Sequence, residues 1–259
     1  MRLNEKVAIV VGAGQQPGET IGNGRATAIR FAEEGANVLL VDKNEKLALE
    51  TLDLIENKGG AAKVQIADIT DEDDCKTIAT ACMNYFGKID ILHNNVGRSE
   101  GDTGTTEMDV KVWDQLMDMN LKGMFMTCKH VLPIMRKQNS GCIINISSIA
   151  SICSHNSITY KTGKGAVNTM THHLAMENAS YGIRANAILP GLMDTPMAIE
   201  RRAREQNLHR DEVRNARNNR VPLLKKMGTA WDVANASVFL ASEEANYITG
   251  LIMPVDGGL

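Results

Sequence analysis

The sequence predicts an α/β fold in which helices cover both faces of a doubly wound, parallel sheet. Short apolar runs rich in β-branched residues alternate along the chain with longer segments of helical period. Most of these runs are nearly continuous in apolar residues, as strands covered on both faces tend to be. A glycine-rich stretch separates the first run from the first helical segment, which is where such sheets bind nucleotides. Together these observations predict a Rossmann-like sheet of about seven parallel strands.

The predicted strands share a short apolar run bounded by polar or turn-forming residues. They are KVAIVV at 6–11, NVLLVD at 37–42, AKVQIAD at 62–68, IDILHNN at 89–95, CIINIS at 142–147, IRANAIL at 183–189 and LIMPVD at 251–256. Helices are predicted between them, near 22–34, 45–58, 71–86, 109–138, 159–180, 196–218 and 230–242. No composition shift, repeat or low-complexity tract divides the chain, so we expect a single domain over residues 1–259.

Composition limits the classes of protein to which the chain could belong. Its 259 residues are 43% apolar and 23% charged, which is enough to bury the core of one α/β domain. The net charge of -3 gives no overall positive field for nucleic acid or an acidic membrane surface. The cysteines are scattered without a C-x-x-C pair, and no apolar run approaches the roughly 18 residues of a membrane span. We therefore expect a cytoplasmic protein without a signal peptide, binding neither nucleic acid nor membrane.

The glycine-rich stretch is VGAGQQPGETIGNG at 11–24, directly before the first predicted helix. The amide groups and positive dipole end of that helix could hold a phosphate, and Gly22 and Gly24 would let the backbone approach it closely. A dinucleotide-binding loop of ordinary length would have glycine where Gln16 stands, so this loop is lengthened by six residues. A Walker-type phosphate loop is the rival interpretation, but it needs a lysine where this chain has Glu19. A flexible turn is the remaining alternative.

Acidic residues end the second and third predicted strands. Asp42 could accept hydrogen bonds from both adenosine ribose hydroxyls and would repel a 2′-phosphate, which favours NAD over NADP. It could equally begin a turn or cap the next helix. Asp68 has similar alternatives, because it could contact the adenine edge or cap the helix that begins near Asp71.

Polar side chains follow the fourth and fifth predicted strands, in HNNVG at 93–97 and NISS at 145–148. The carboxyl ends of parallel strands meet at one edge of the sheet, where ligands bind. Twelve residues after Ser148 comes the segment YKTGK, inside a predicted helix. Its spacing places the phenol of Tyr160 and the ammonium of Lys164 on one helix face.

In these features the chain resembles the classical short-chain dehydrogenase/reductase family over nearly its whole length. The matching pieces are, in chain order, Gly12 with Gly22 and Gly24, Asp68, NNVG at 94–97, Asn120 in MDMNLKG, Ser148, Tyr160 with Lys164, YGIRANAILPG at 181–191, PGLMDT at 190–195 and YITGLIMPVDGG at 247–258. The family's gap from serine to tyrosine is usually one residue longer than that from Ser148, so Ser147 is an alternative. We prefer Ser148 because SSIAS matches the family's serine block at that position.

The resemblance implies three groups of site residues. The catalytic residues would be Asn120, Ser148, Tyr160 and Lys164. The cofactor would contact Gly12, Ile21, Gly22, Gly24, Asp42, Asp68, Ile69, Asn94, Gly97, Tyr160, Lys164, Pro190, Gly191 and Thr195. The substrate would contact Ser148, Cys153, His155, Tyr160 and Met193. Thr195 could alternatively cap the helix that begins at Pro196.

In the implied chemistry, Tyr160 is the general acid/base in hydride transfer. A free phenol titrates near pH 10, about three units above neutrality, which corresponds to roughly 4 kcal/mol. Lys164 and the positive nicotinamide of an oxidised cofactor could favour the phenolate, and Lys164 would also hold the nicotinamide ribose. Ser148 would bind the substrate oxygen, and Asn120 would anchor a water leading from Lys164 to solvent.

Residues 193–220 correspond to the family's lid over the substrate. Seven arginines lie between positions 201 and 220. A solvated helix with ion pairs would explain them, and so would contact with an anionic substrate or acyl-carrier partner through Arg201, Arg202 or Arg204. The histidines lack ligand spacing, so no metal site is expected. The resemblance and methionines on several helix faces, including Met117, Met124, Met126, Met170 and Met176, predict a homotetramer.

The sequence thus predicts an NAD(H)-dependent oxidoreductase acting on a small-molecule secondary alcohol or ketone. An alternative is a reductase of 3-oxoacyl thioesters on an acyl carrier protein, which would favour NADPH. A non-catalytic nucleotide-binding scaffold is the alternative from another class. The combination of Asn120, Ser148, Tyr160 and Lys164 argues against it, because a binding module has no need of a phenol beside an ammonium.

Overall fold

The computed structural model describes residues 1–153 and 157–259, and within them seven strands form one parallel sheet. In chain order, the strands of the described residues are β1 (Val7–Val11), β2 (Asn37–Asp42), β3 (Ala61–Ile66), β4 (Ile91–Asn94), β5 (Gly141–Ile146), β6 (Ile183–Pro190), β7 (Met193–Asp194), β8 (Gly228–Thr229) and β9 (Ile252–Val255). The sheet has the order β3-β2-β1-β4-β5-β6-β9, and β7 pairs separately with β8. The direction of winding reverses between β1 and β4, so the predicted doubly wound fold is confirmed.

Helices connect the strands and cover both faces of the sheet. They are α1 (Asn23–Glu33), α2 (Glu45–Glu56), α3 (Glu72–Phe86), α4 (Val110–Met117), α5 (Gly123–Gln138), α6 (Ile158–Asn178), α7 (Pro196–Gln206), α8 (Arg210–Asn218) and α9 (Ala230–Ala241). The helix predicted at 109–138 is interrupted by a π-helical turn, Asp118–Lys122. The helix predicted at 196–218 is divided into α7 and α8 because Asn207 adopts a left-handed conformation that ends α7.

The apolar runs of β1, β2, β4, β5 and β6 are continuous because these inner strands are buried on both faces. Along β1, Ala8 and Val10 belong to one core cluster, whereas Ile9 and Val11 belong to another. Successive side chains of a strand point to opposite faces, so the two clusters lie on opposite sides of the sheet. Each fully buried aliphatic side chain contributes roughly 1.5–3 kcal/mol, and the two clusters together anchor the helices on both faces.

The first helix begins at the carboxyl edge of the sheet because a glycine permits a very close approach to β1. A Cβ on Gly24 would lie 1.9 Å from the carbonyl oxygen of Gly12 and 2.5 Å from the amide nitrogen of Asn95. Gly12 itself has a φ of 77°, which favours glycine. The N-terminus of α1 therefore faces the space beyond the ends of β1 and β4.

We expect Gly24→Ala to lower the free energy of unfolding by about 2–3 kcal/mol, because the added methyl group overlaps backbone atoms of Gly12. Gly22→Ala is the matched control, since a Cβ there would have only ordinary contacts, at 3.7 Å or more, with Gln15. Urea unfolding of the two variants without cofactor measures the difference. Equal stability of the two variants would contradict the close-approach argument.

Candidate active site

A cleft of about 600 Å³ opens at the carboxyl edge of the sheet. Many of the residues predicted for the site line it: Gly12, Gly22, Gly24, Asp42, Asp68, Ile69, Gly97, Ser148, Tyr160, Lys164, Pro190, Gly191, Met193 and Thr195. Because these residues come from loops after several different strands, the fold brings together groups that are distant in sequence.

Lys164 is buried at the floor of the cleft. Its Nζ donates hydrogen bonds to the carbonyl oxygens of Ile146, at 2.8 Å, and Val96, at 3.2 Å. The Ser147 hydroxyl donates to the carbonyl oxygen of Lys164 at 2.9 Å, which ties this turn of α6 to the end of β5. Burial lowers the pKa of Lys164 to about 7, so its ammonium is only partly charged at neutral pH.

Asn120 lies in the π-helical turn between α4 and α5, and its side chain is fully buried. Its Oδ1 accepts a hydrogen bond from the backbone N–H of Arg98 at 2.9 Å, and its Nδ2 donates to the carbonyl oxygen of Arg98 at 2.8 Å. A Cβ on Gly97 would lie 3.0 Å from Asn120 Oδ1 and 2.8 Å from Lys164 Nζ. Glycine at this position therefore allows the amide and the ammonium to approach the same backbone segment.

Tyr160 and Ser148 meet inside the cleft. The pKa of Tyr160 is raised overall, because burial outweighs the hydrogen bond with Ser148 and the positive charges of Arg202 and Arg201, which lower it. Lys164 Nζ lies 5.8 Å from the centroid of the Tyr160 ring. A lowering of the phenol pKa by Lys164 together with an oxidised nicotinamide stays a prediction, and two arginines of α7 act in the same direction.

The choice between the two serines follows from their different surroundings. Ser148 contacts the phenol of Tyr160, and its Oγ also accepts a hydrogen bond from the Ala150 N–H at 3.1 Å. Ser147 is buried, and its hydroxyl is bonded to the Lys164 carbonyl. The geometry therefore places Ser148, and not Ser147, beside the phenol.

The lengthened loop is organised by Gln15, a residue that the sequence analysis missed. Its side chain accepts a hydrogen bond from the Gly22 N–H at 2.7 Å and donates to the carbonyl oxygen of Thr20 at 3.1 Å. The Gly22 amide, expected to serve a pyrophosphate, is thus already bonded to Gln15. Ile21 is not among the described residues lining the cleft, because its side chain packs against Ala26 and its neighbours on α9.

The loop also reaches the predicted lid. A Cβ on Gly18 would lie 2.7 Å from Pro196 at the start of α7. The Glu19 carboxylate forms ion pairs with Arg210, at 2.7 Å, and Arg214, at 3.5 Å, on α8. The carboxylate of Glu19, which argued against a Walker-type loop, is therefore paired with two arginines of α8.

The two strand-end acids both line the cleft. Asp42 accepts hydrogen bonds from the backbone N–H groups of Gly14, at 2.9 Å, and Asn44, at 3.0 Å. Asn44 caps α2 and Asp71 caps α3, so the capping alternatives for Asp42 and Asp68 are wrong. Asp68 accepts hydrogen bonds from the backbone N–H and the hydroxyl of Thr70.

Asn94 does not line the cleft, and its assignment to the cofactor is corrected. Its side chain is buried and bonded to Asn145 and Thr127, whereas the next residue, Asn95, lines the cleft and donates to the Gly12 carbonyl. Asn95 directly follows β4 and continues its hydrogen bonding to β1, so its side chain points to the side opposite that of Asn94, which explains why Asn95 and not Asn94 lines the cleft. Cys153 is not among the described lining residues either, and His155 lies outside the described residues.

Thr195 occupies the N-cap position of α7, but its side chain makes no capping hydrogen bond. It is nearly buried and lines the cleft together with Pro190, Gly191 and Met193. A Cβ on Gly191 would lie 2.6 Å from the Cα of Asp256, so glycine is needed there for packing. The capping alternative for the Thr195 hydroxyl is therefore wrong.

Several known proteins are similar to this chain over nearly its whole length. A family model described as Enoyl-(Acyl carrier protein) reductase matches residues 19–259. The 3-oxoacyl-[acyl-carrier-protein] reductase FabG of Thermotoga maritima is 36% identical, covering 100% of this chain and 99% of the relative. A crystal structure from Burkholderia xenovorans described as a short-chain dehydrogenase/reductase is 37% identical, with a TM-score of 0.90, and the match covers 99% of this chain and 96% of that one.

The chain belongs to the classical short-chain dehydrogenase/reductase family. Members of this family are oxidoreductases that act on CH–OH groups with a nicotinamide cofactor. A structure of 7 alpha-hydroxysteroid dehydrogenase complexed with NADH and 7-oxo glycochenodeoxycholic acid is 31% identical, with a TM-score of 0.87, and the match covers 99% of this chain and 95% of that one.

The residues of this short-chain dehydrogenase/reductase fit such a cofactor. The contact between Gly12 and Gly24 keeps the loop floor free of side chains, and the first-turn amides of α1 point into the cleft. Across residues 1–153 and 157–259, no helix is both long and apolar enough to span a bilayer. In the same residues, no group of three or more His, Cys, Asp or Glu is placed to hold a metal ion.

Asp102 also shapes the site, and no pattern in the sequence indicated its role. Asp102, in the segment after β4, accepts hydrogen bonds from the backbone N–H groups of Thr159, at 3.1 Å, and Tyr160, at 2.6 Å. It thereby fixes the first turn of α6, which carries the phenol. An acidic residue so far from the helix in sequence does not match any local capping pattern.

Removing the buried ammonium should change how stability depends on pH. The unfolded lysine keeps its ordinary pKa of 10.5, whereas the folded one has a pKa of about 7. The unfolded state therefore binds more protons between these values, so wild-type stability should rise with pH relative to Lys164→Met. We expect the difference in unfolding free energy to change by about 4 kcal/mol between pH 7 and 10 without cofactor.

Chemical denaturation over that pH range measures the effect. Lys137→Met is the control, because Lys137 is exposed on α5 and its removal takes away no buried charge. If the unfolding free energies of wild type and Lys164→Met changed in parallel with pH, burial would not lower the pKa of Lys164, and the prediction would be wrong.

Proposed function

We propose that the protein transfers a hydride between NAD(H) and a secondary alcohol or ketone, with Tyr160 as general acid/base. The observation that carries the proposal is the contact of the Tyr160 phenol with Ser148 in a cleft that Lys164 also lines. A nicotinamide bound there would supply the hydride acceptor or donor. The substrate oxygen would then lie between a proton donor and a hydrogen-bonding hydroxyl.

In this mechanism, four polar side chains of the site have defined roles. Tyr160 gives its proton to the substrate oxygen during reduction and takes it back during oxidation. Ser148 donates a hydrogen bond to the same oxygen and stabilises its developing charge. Lys164 holds the nicotinamide ribose and passes protons from Tyr160 towards solvent. Asn120 fixes the backbone at Arg98 beside Lys164, and we propose that it also anchors the water of this proton path.

The preference for NAD is supported by Asp42. Its carboxylate lines the cleft where the adenosine ribose of a nucleotide would lie, and it would repel a 2′-phosphate. The neighbouring Lys43 could attract such a phosphate, but its Nζ lies 3.6 Å from the Asp68 carboxylate. The charge balance at this end of the cleft therefore favours NAD.

A second candidate is reduction of a 3-oxoacyl thioester. The similarity to FabG and the description of the matching family model favour it. We rank this reaction below hydride transfer between NAD(H) and a free alcohol or ketone. A thioester reductase would favour NADPH, whose 2′-phosphate the Asp42 carboxylate would repel.

We also propose a cytoplasmic homotetramer built from one domain per chain, with residues 193–220 as the lid. Large apolar side chains exposed on the helices support further assembly, and they include Phe125 on α5 and Met176 on α6. Met124 and Met126, which also suggested an interface in the sequence, are both buried within their own chain.

Replacing the phenol tests the proposed reaction. Tyr160→Phe should lower kcat by roughly 10²–10⁴-fold, because it removes the proton donor. The affinity for NADH should stay within about twofold of the wild-type value, because the cofactor would keep its contacts with the other residues of the site. Steady-state kinetics and fluorescence titration measure the two quantities.

The matched control is Tyr181→Phe, which changes an exposed phenol whose ring lies beside Arg136. It should leave kcat unchanged. Full turnover by Tyr160→Phe would refute the mechanism.

Replacing Asp42 tests the cofactor preference. Asp42→Ala should lower the ratio of kcat/KM for NAD to that for NADP by about tenfold or more, because one repulsive charge is worth on the order of 1.4 kcal/mol. The control is Asp53→Ala, at an exposed position on α2. A wild-type preference for NADP, or a ratio that Asp42→Ala leaves unchanged, would contradict the assignment.

A further inference from the structure

Three arginines of the lid helices line the substrate end of the cleft: Arg201 and Arg202 on α7, and Arg217 on α8. The other arginines of the lid behave differently. Arg210 and Arg214 form ion pairs with Glu19, and Arg204 and Arg220 are exposed. Ion pairing at the surface therefore explains only part of the arginine-rich segment.

The charges inside the cleft are not fully compensated. Arg217 is only 8% exposed, and its buried Nε has no hydrogen-bond acceptor among the described residues. Asp194 attracts Arg217, but Asp194 Oδ2 is bonded to Arg214 at 2.9 Å, and among the described residues its buried Oδ1 has no hydrogen-bond donor, Arg217 included. Burial and the charges of Arg202 and Arg220 lower the pKa of Arg217 to about 9, so it remains charged at neutral pH. A buried guanidinium whose Nε lacks an acceptor, and whose nearby carboxylate is shared with another arginine, is costly.

The neighbouring arginines add to this positive charge. The Nη1 of Arg202 donates to the Ala198 carbonyl of its own helix at 3.2 Å. Arg201 donates to the Ser99 hydroxyl at 3.2 Å, and its Nε lies 3.4 Å from the exposed carboxylate of Glu205. Both guanidinium groups act on the phenol of Tyr160, so they share a cavity with the group assigned to proton transfer.

We propose that Arg201, Arg202 and Arg217 form an anion subsite, so that the substrate is a secondary alcohol or ketone bearing a carboxylate, sulfonate or phosphate. The inference rests on the proposed function, since it names the substrate class of the same cleft. An anion there would supply the acceptor that Arg217 Nε lacks and would lower the cost of burying three like charges. Of the arginines that the sequence suggested, Arg204 is exposed, and Arg217 takes its place.

Matched pairs of secondary alcohols test the subsite. Each pair contains an anion and a neutral analogue of similar size: 3-hydroxybutyrate with 3-hydroxybutyramide, 2-hydroxypropane-1-sulfonate with 1-(methylsulfonyl)propan-2-ol, and propane-1,2-diol 1-phosphate with its dimethyl phosphate ester. The three pairs distinguish the carboxylate, sulfonate and phosphate sources. We expect kcat/KM with NAD to be higher for at least one anion than for its neutral partner.

Variants of the arginines assign the effect to the subsite. Arg217→Gln and Arg202→Gln should each raise KM for that anion by roughly 10–100-fold, the effect of losing a charge-assisted hydrogen bond, without a comparable rise for the neutral partner. Arg204→Gln is the matched control and should leave both values unchanged. Arg202→Gln keeps the test available if Arg217→Gln does not fold.

Turnover of the neutral alcohols as efficient as that of the anions would overturn the subsite and leave the proposed function intact. If no alcohol is oxidised, calorimetric titration of the three anions into wild type and Arg217→Gln, at fixed ionic strength, decides the matter. Binding by wild type that Arg217→Gln loses supports the subsite although the proposed oxidation has failed, and absence of binding overturns it.

Discussion

The ammonium of Lys164 is held by main-chain carbonyls at the ends of two neighbouring strands, Val96 just beyond β4 and Ile146 on β5. Burying an ammonium costs several kcal/mol unless its protons are bonded, so these two contacts fix the position of α6 against the sheet. The phenol of Tyr160, one helical turn earlier, is thereby set over the cleft. Gly97 is part of the same constraint, because a side chain there would displace the ammonium.

The lengthened loop connects the start of α1 with helices α7 and α8. Gln15 folds the loop back onto Gly22, and Gly18 packs against Pro196 at the start of α7. The exposed ion pair of Glu19 with Arg210 adds less than about 1 kcal/mol. A shorter loop of the usual spacing would not make these contacts with α7 and α8.

The seven strands and most helices could be predicted, because continuous apolar runs and helical periodicity are local properties of the chain. The errors have physical reasons. A sequence motif does not distinguish Asn94 from Asn95. Only Asn95 lines the cleft, because successive side chains along an extended backbone point to opposite sides. The break at Asn207 depends on a left-handed conformation that its side chain tolerates but does not require. Asp102 reaches α6 from a distant loop, so no sequence pattern indicated its role.

Local patterns along the chain predict the sheet, the glycine-lined loop and the i,i+4 spacing of Tyr160 and Lys164, because each depends on residues close together in sequence. The compensation of charges, in contrast, becomes visible only in the folded protein. In sequence Arg214 and Arg217 are alike, yet Arg214 meets Glu19 and Asp194, whereas Arg217 is buried in the cleft without an acceptor for its Nε among the described residues. Burial and ion pairing depend on residues brought together from distant segments, so the charge balance of the site is a property of the folded chain.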